Sequence, residues 1–408
     1  MGTTNLKESC TTDRMPTVPT STLVETQPVD IRVVRTVEEI EQIRDVWSTF
    51  QLHPNADIDF YLLICRIRPE ILRPHVIVLY RDGQPEAMLV GRLVRGTIDL
   101  SVGYGKMMKV PARLLTVVCG GLLGDMSSEN CSALVAEVSN ALRRDEADAA
   151  LFNFVRTDSV AYPLILGSPG PMHRDYWPAE QPHWSLKLPN SIEAVYGEMS
   201  GDHRKELRRM ERKLLSDYSR DVKVRSLREV ADLDSMFRDL EEIAKRTYQR
   251  GLGAGFADSP EMRQRFRLEA EKGWLRSYIL YVGGKPCAFW VGTLYKGTFH
   301  SGFMGYDPGY QRYSPGSVLQ VKVLEDLCQD GIKELDFGLG DAMYKQRLAN
   351  CCWQEASAYI FAPTLTATAI NAIRVPTIVL DRMLRKVLER SKLLAKVKKR
   401  WRSMVKQA

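Results

Sequence analysis

Apolar and polar residues alternate with two periods along this chain, and each period marks a kind of element. In the first quarter and again before the three-quarter point, runs of alternating or continuous apolar residues are cut by Gly and Pro, as strands joined by tight turns are. Tyr80 to Thr97 aligns without gaps with Tyr281 to Thr298, nine of the 18 positions being identical at a constant offset of 201. The shared turns at Gly83 and Pro85 (Gly284 and Pro286), and at Arg95-Gly96 (Lys296-Gly297), predict an antiparallel three-stranded meander in each copy.

A helical period follows each meander. After the second copy, Val318, Val321, Leu324 and Cys328 share one face of a helix over 317–328, Gly331 stops it, and 334–338 reads as a strand. After the first copy come a Leu- and Gly-rich loop, a helix over 128–143 and a strand over 149–155. Two such units in one chain predict a duplicated α/β (α+β) fold with mixed central sheets. The prolines clustered between 163 and 189 mark a linker. The expected organisation is a disordered leader over 1–29, domains over 30–189 and 190–365, and a tail over 366–408.

Charge locates the basic character. The net charge is +7, but residues 374–408 hold 12 Lys and Arg against two acids, which leaves 45 basic and 48 acidic residues before them. A nucleic-acid cleft across the whole body does not fit that balance. From Thr377 on, Leu380, Leu384, Val387, Leu394, Val397, Trp401 and Met404 recur at helical spacing among Lys and Arg. That is a basic amphipathic helix, suited to an anionic membrane surface through residues 377–408 or to packing on the body. Eight cysteines without a C-x-x-C pair predict a reduced, cytoplasmic setting and no metal site. The N-terminus lacks the apolar core of a signal peptide, and the longest uncharged stretch, 356–373, is too polar to span a bilayer.

The candidate chemistry lies in the second copy. Its third strand, 298–306, runs into Asp307-Pro-Gly-Tyr-Gln-Arg-Tyr-Ser-Pro-Gly316 and then into a helix. A turn that opens a helix gathers unpaired N–H groups at the positive end of the dipole, a seat for a pyrophosphate or simply a cap. Gln311, Arg312 and Ser314 are positioned to add donors. Gln311 to Gly316 resembles the Q/R-x-x-G-x-G/A loop of the GNAT acyltransferases, with Ser314 where the first Gly is usual. A wider likeness takes in HRKELRRMERKL (203–214), GGKPCAF (283–289), the loop, and LDFGLGDAMYK (335–345). In this order they resemble GNAT-like proteins of the BioF2-like, cellulose-biosynthesis-associated group, relatives of the Fem-type peptidyltransferases, which also carry two tandem GNAT-like folds.

The resemblance implies a tandem GNAT-like fold with acetyl-CoA or another acyl-CoA as co-substrate, held by Gln311, Arg312, Tyr313, Ser314, Gly316 and Ser317. The first copy has no counterpart to this loop, so one coenzyme site is expected. The implied reaction moves an acyl group, acetyl above all, to an amine or hydroxyl of a saccharide or envelope precursor. The alternatives are an aminoacyl-tRNA-dependent transferase of the Fem type and a non-catalytic assembly factor. For the chemistry, strand alternation places His300, Gly302, Met304 and Tyr306 on one face, so that His300 is a candidate base, or a histidine with a structural hydrogen bond. Its counterpart in the first copy is Asp99. Asp336, Asp341, Tyr344 and Lys345 lie at or just past the end of a parallel-type strand, where α/β sheets place working groups; Lys345 is a candidate to hold an acceptor or a coenzyme phosphate, or a solvated partner, and Asp341 to orient or deprotonate an acceptor, or a helix cap. Arg204, Lys205, Arg208 and Arg212 surround an apolar line of Leu207, Met210 and Leu214 and form either a solvated face or a seat for an anionic acceptor or a coenzyme 3′-phosphate.

Overall fold

The computed structural model describes residues 29–102, 105–218, 221–247, 250 and 255–390. The expected leader, but for its last residue, and the chain beyond 390 lie outside them. The first repeat runs β1 (Val29–Val34), α1 (Val37–Gln42), α2 (Arg44–Phe50), α3 (Ile58–Ile67), β2 (Ile71–Arg81), β3 (Gln84–Val102), β4 (Gly105–Gly124), α4 (Ser128–Arg143), β5 (Ala149–Arg156) and α5 (Ala161–Gly167). Then come β6 (Glu180–Lys187), α6 (Ile192–Glu198) and α7 (Gly201–Tyr218). The second repeat follows as β7 (Val222–Leu227), α8 (Leu233–Ala244), α9 (Pro260–Glu271), β8 (Leu275–Val282), β9 (Lys285–Tyr295), β10 (Thr298–Tyr306), α10 (Pro315–Gln329) and β11 (Glu334–Leu339). The described chain closes with α11 (Met343–Leu348), β12 (Cys351–Phe361) and α12 (Leu365–Arg390).

The duplication is visible at the level of register. Asp82-Gly83 (φ 50° and 75°) and Gly283-Gly284 (φ 60° and 72°) make left-handed two-residue turns. In both hairpins the pairing shifts just before a Tyr that then faces a Pro, Tyr80 with Pro85 and Tyr281 with Pro286. The second turns differ. Lys296-Gly297 turns as expected (φ 46° and 82°), but β3 runs straight through Arg95-Gly96, with Gly96 paired to Ala112. Asp99 consequently lies in β3 opposite Lys109 and is not the counterpart of His300, and the expected Leu- and Gly-rich loop is strand β4.

The chain forms two compact units, and neither is continuous in sequence. One comprises residues up to Trp184 with Leu339–Asp341 and Asn350–Val379; the other comprises Ser185–Gly338, Ala342–Ala349 and the chain from Leu380. In the first unit the strand order is β1-β2-β3-β4-β5-β12, and in the second it is β7-β8-β9-β10-β11-β6. Each sheet is therefore completed by the strand that follows the other repeat. The sequence-based boundaries placed 351–361 with the second domain, whereas β12 pairs antiparallel with β5. The expected linker contains β6, with Leu188 N–H donating to Lys333 O at 2.9 Å and Lys187 paired with Glu334 at 2.5 Å.

In the first unit β2 is apolar on both faces: Ile77 and Leu79 join a core with α4, while Val76 and Val78 join one with Trp47 and Tyr61 of the α1–α3 layer. The second unit repeats this layering. Phe237, Phe256, Phe266, Phe289 and Val291 pack between the sheet and α8 and α9. On the other face Tyr278 donates to Asp326 of α10 at 2.6 Å, and Trp290 meets Phe299 edge-on.

Candidate functional site

Everything in this site belongs to the second unit unless stated. Strands β10 and β11 pair in parallel only over Thr298–His300 with Glu334–Asp336; beyond these three pairs each strand continues without the other. At that point β10 bulges. The pairing with β9 skips Gly302, since Ser301 faces Gly292 and Phe303 faces Val291. A bulge resets the alternation of side chains. Before it, Phe299 and Ser301 share the Trp290 face, with Trp290 Nε1 donating to Ser301 Oγ at 2.9 Å, and His300 lies opposite, across from Thr293. After it, Phe303 joins the Phe256 and Phe289 cluster on the His300 face, which puts Met304 and Tyr306 on the Trp290 face. His300 and Tyr306 therefore sit on opposite faces of the sheet, contrary to the simple two-residue period.

The short parallel register brings together groups 36 residues apart. His300 Nδ1 lies 3.0 Å from Asp336 Oδ2, and Asp336 Oδ1 accepts from Gly338 N–H at 2.6 Å. In the tautomer with its proton on Nδ1, His300 donates to this carboxylate. Lys345 is 7% exposed, and its Nζ donates to Gly338 O at 3.0 Å. The Gly338 peptide, in the left-handed region at φ 72°, is held at both ends. Lys345 is thus a buried brace rather than a solvated partner. Tyr344 packs edge-on against Phe337 (6.0 Å), which stacks on Trp290 (6.4 Å).

Asp341 lies just past β11. It is exposed and belongs to the first unit, where Gly340 N–H donates to Pro182 O at 2.9 Å. The N-cap of α11 is Ala342, without a side-chain bond, so Asp341 does not cap that helix. Within the first unit, burial and then the Asp341 charge push the Cys352 thiol up. Asp336, which the sequence places at the strand end with Asp341, Tyr344 and Lys345, is the residue joined to His300. Its signal is the parallel register with His300.

The loop between β10 and α10 is a 3₁₀ turn, Pro308–Tyr313, braced at both ends. Asp307 accepts from Gly309 N–H at 2.9 Å and pairs with Arg246 at 2.5 Å. At the far end Tyr313 is buried and its hydroxyl donates to Asp217 of α7 at 2.6 Å. Tyr313 is thus part of the packing and not a ligand-facing residue, as was expected of it. Ser314 adopts φ 48°, ψ 56°, the left-handed conformation usually given to glycine. Pro315 has no N–H, and the amides of Ser317 and Val318 both bond to Ser314 O (2.9 and 3.2 Å). Gly316 N–H is left at the positive end of a 15-residue helix. A Cβ on Gly316 would rest against the Tyr306 ring at 3.8 Å and meet nothing else within 4 Å, so the helix end is open beside that ring. Gln311 and Arg312 are exposed at the rim, while Ser314, Gly316 and Ser317 are half-buried around the helix end.

A strand pair that separates at a bulge is thus followed by an open helix end. Residues 201–346 match the acetyltransferase (GNAT) domain family. FemX has a similar structure, with a TM-score of 0.56 at 10% identity over 81% of this chain and 98% of that one. A tandem GNAT protein from the clavulanic acid biosynthesis pathway aligns with a TM-score of 0.48 at 12% identity, over 83% of this chain and 99% of its own. The C-terminal domain of a putative lysylphosphatidylglycerol synthetase from Agrobacterium fabrum aligns at 0.48 and 14% identity, over 84% and 96%. No curated protein sequence matches this chain. At such identities the likeness is one of fold: a mixed α/β, tandem duplicated GNAT-like chain.

Proposed function

We propose that the second unit transfers an acyl group, acetyl in the first instance, from acyl-CoA to an amine or hydroxyl of a saccharide acceptor, as the BioF2-like resemblance suggests. The observation that carries this is the open end of α10 at Gly316, set beside the unpaired length of β10 within the GNAT-matched segment. The coenzyme pyrophosphate would lie on Gly316 N–H and the Ser314 and Ser317 hydroxyls, with Gln311 and Arg312 at its rim.

The bulge divides the labour between the faces. His300 Nε2 accepts the proton of the attacking amine or hydroxyl, and Asp336 stabilises the imidazolium that forms. Backbone N–H groups around Gly302, which is outside the β9 pairing, are the candidate donors to the carbonyl oxygen as it becomes an oxyanion. Tyr306, on the coenzyme face and 38% exposed, is the candidate acid for the departing thiolate, recovering its proton from solvent. Asp341, Tyr344 and Lys345 have no step of their own here: Lys345 and Tyr344 support the strand end that carries Asp336.

Calorimetry with acetyl-CoA tests the donor site. The protein should bind it, and Gly316→Trp, whose indole would fill the space toward Tyr306, should not. No binding by either protein would refute an acyl-CoA donor and turn the search to aminoacyl-tRNA.

No helix among the described residues is long and apolar enough to cross a membrane. Association of residues 377–408 with an anionic, cytoplasmic membrane face is supported by exposed Leu380 and Met383 on α12. Removing residues 391–408 should abolish binding to anionic vesicles while leaving acetyl-CoA affinity unchanged. Unchanged vesicle binding would sink the membrane assignment.

A further inference from the structure

The charges on α7 are sorted by face. Three of its four acids are engaged by the body, and the fourth, Asp202, lies exposed in the first turn: Glu206 pairs with Arg347 (3.4 Å), Glu211 with Lys322 of α10 (3.2 Å), and Asp217 accepts from Tyr313. Lys205, Arg208, Arg209, Arg212 and Lys213 are all exposed. At 100° per residue these five fall within an arc of about 140°. A helix that merely needed solubility would interleave the two signs, as exposed helices with i,i+4 pairs do. Here the face is positive from Lys205 to Lys213, past the Asp202 of the first turn.

Where that face ends it meets the phosphate loop. Lys213 Nζ lies 5.6 Å from the centre of the Tyr313 ring and the Arg312 guanidinium 4.6 Å from it, so one buried ring is contacted by two cations. Asp217 is the acid in reach, 3.6 Å from Arg312 and already accepting from the Tyr313 hydroxyl. The pair keeps a net positive charge. Tyr313 is three residues before Gly316, a span of at most about 11 Å. A pyrophosphate on Gly316 thus brings the next part of coenzyme A, a ribose with a 3′-phosphomonoester, within reach of two cations positioned in advance.

We propose that Lys213 and Arg312 form the seat of the coenzyme 3′-phosphate and so select CoA over its 3′-dephospho form, an inference that rests on the acyl-CoA reading above. Arg312 supplies a planar fork for the phosphate oxygens, and Lys213 a compact charge from a helix outside the loop. The rest of the basic face raises the local potential without touching the phosphate.

Calorimetry with CoA and with 3′-dephospho-CoA separates the possibilities. The unaltered protein should bind CoA at least about tenfold more tightly, a ratio typical of one charge-assisted hydrogen bond. Lys213→Gln should bring the ratio close to one while retaining the affinity for 3′-dephospho-CoA, which also reports that the site is intact. Lys205→Gln, two helical turns away on the same face, should keep the ratio. Arg312→Gln provides a second removal of charge and should also lower it. A ratio near one in the unaltered protein overturns the proposal, as does a ratio that survives Lys213→Gln or one that falls equally in Lys205→Gln. Absence of binding to both ligands refutes the acyl-CoA donor, and this seat with it.

Discussion

Glu269 offers a quantitative test of the packing beneath β9 and β10. It is 2% exposed on α9, and its Oε2 accepts from the hydroxyl of Thr293, the residue paired with His300 across β9 and β10. Burial pushes its carboxyl up to about 7, against the opposing pull of Arg265 and of the Thr293 hydroxyl. Because the folded value is raised, the group costs nothing below its unfolded value near 4.5. As pH climbs, the unfolded chain ionises first, and stability is lost until the folded carboxyl ionises as well, near 7. A shift of about 2.5 units at 1.36 kcal/mol each makes the full loss about 3 kcal/mol. Glu269→Gln keeps an oxygen for Thr293 and cannot ionise. It should therefore gain about 3 kcal/mol over the unaltered protein at about pH 8.5, but less than about 1 kcal/mol at about pH 5. Urea unfolding followed by tryptophan fluorescence at both pH values measures the difference. A gain independent of pH, or none at the higher pH, would refute a neutral buried carboxyl at this position.

Three further outcomes are expected. Gly292→Ala would place a Cβ 2.4 Å from His300 O and 2.6 Å from Phe299 Cζ, so thermal unfolding should show a loss of about 3 kcal/mol; an unchanged midpoint would mean that the strands separate freely. Arg374→Ala leaves Asp175, fully buried and 2.8 Å from the guanidinium, without its counter-charge, and should cost about 3–5 kcal/mol in chemical denaturation; a loss within error would contradict a buried pair. His300→Ala and Asp336→Asn should lower acyl transfer at least about 10²-fold with acetyl-CoA affinity intact, as steady-state kinetics and calorimetry would show; full activity in either removes that residue from the mechanism.

Local features of this protein are written in short segments of its sequence. The paired turns at Gly83 and Gly284, the helix opened by Ser127 over α4 and the loop that opens α10 were all legible, because turn conformations, caps and apolar period involve residues a few positions apart. The duplicated α/β fold followed from them together with the internal repeat, and the GNAT likeness from the resemblance of the loop and its neighbouring motifs. Tertiary structure decided the rest. Arg95-Gly96 has the residues of a turn, yet β3 continues through it because β4 supplies a partner strand along its length. That β12 completes the first sheet and β6 the second is a matter of which edges were open, and no local pattern encodes it. The bulge at Gly302 inverts every side chain after it, separating His300 from Tyr306, and the three-pair register of β10 with β11 creates the His300–Asp336 pair across 36 residues. Such features depend on strand register, a long-range property that alternation along one strand leaves open.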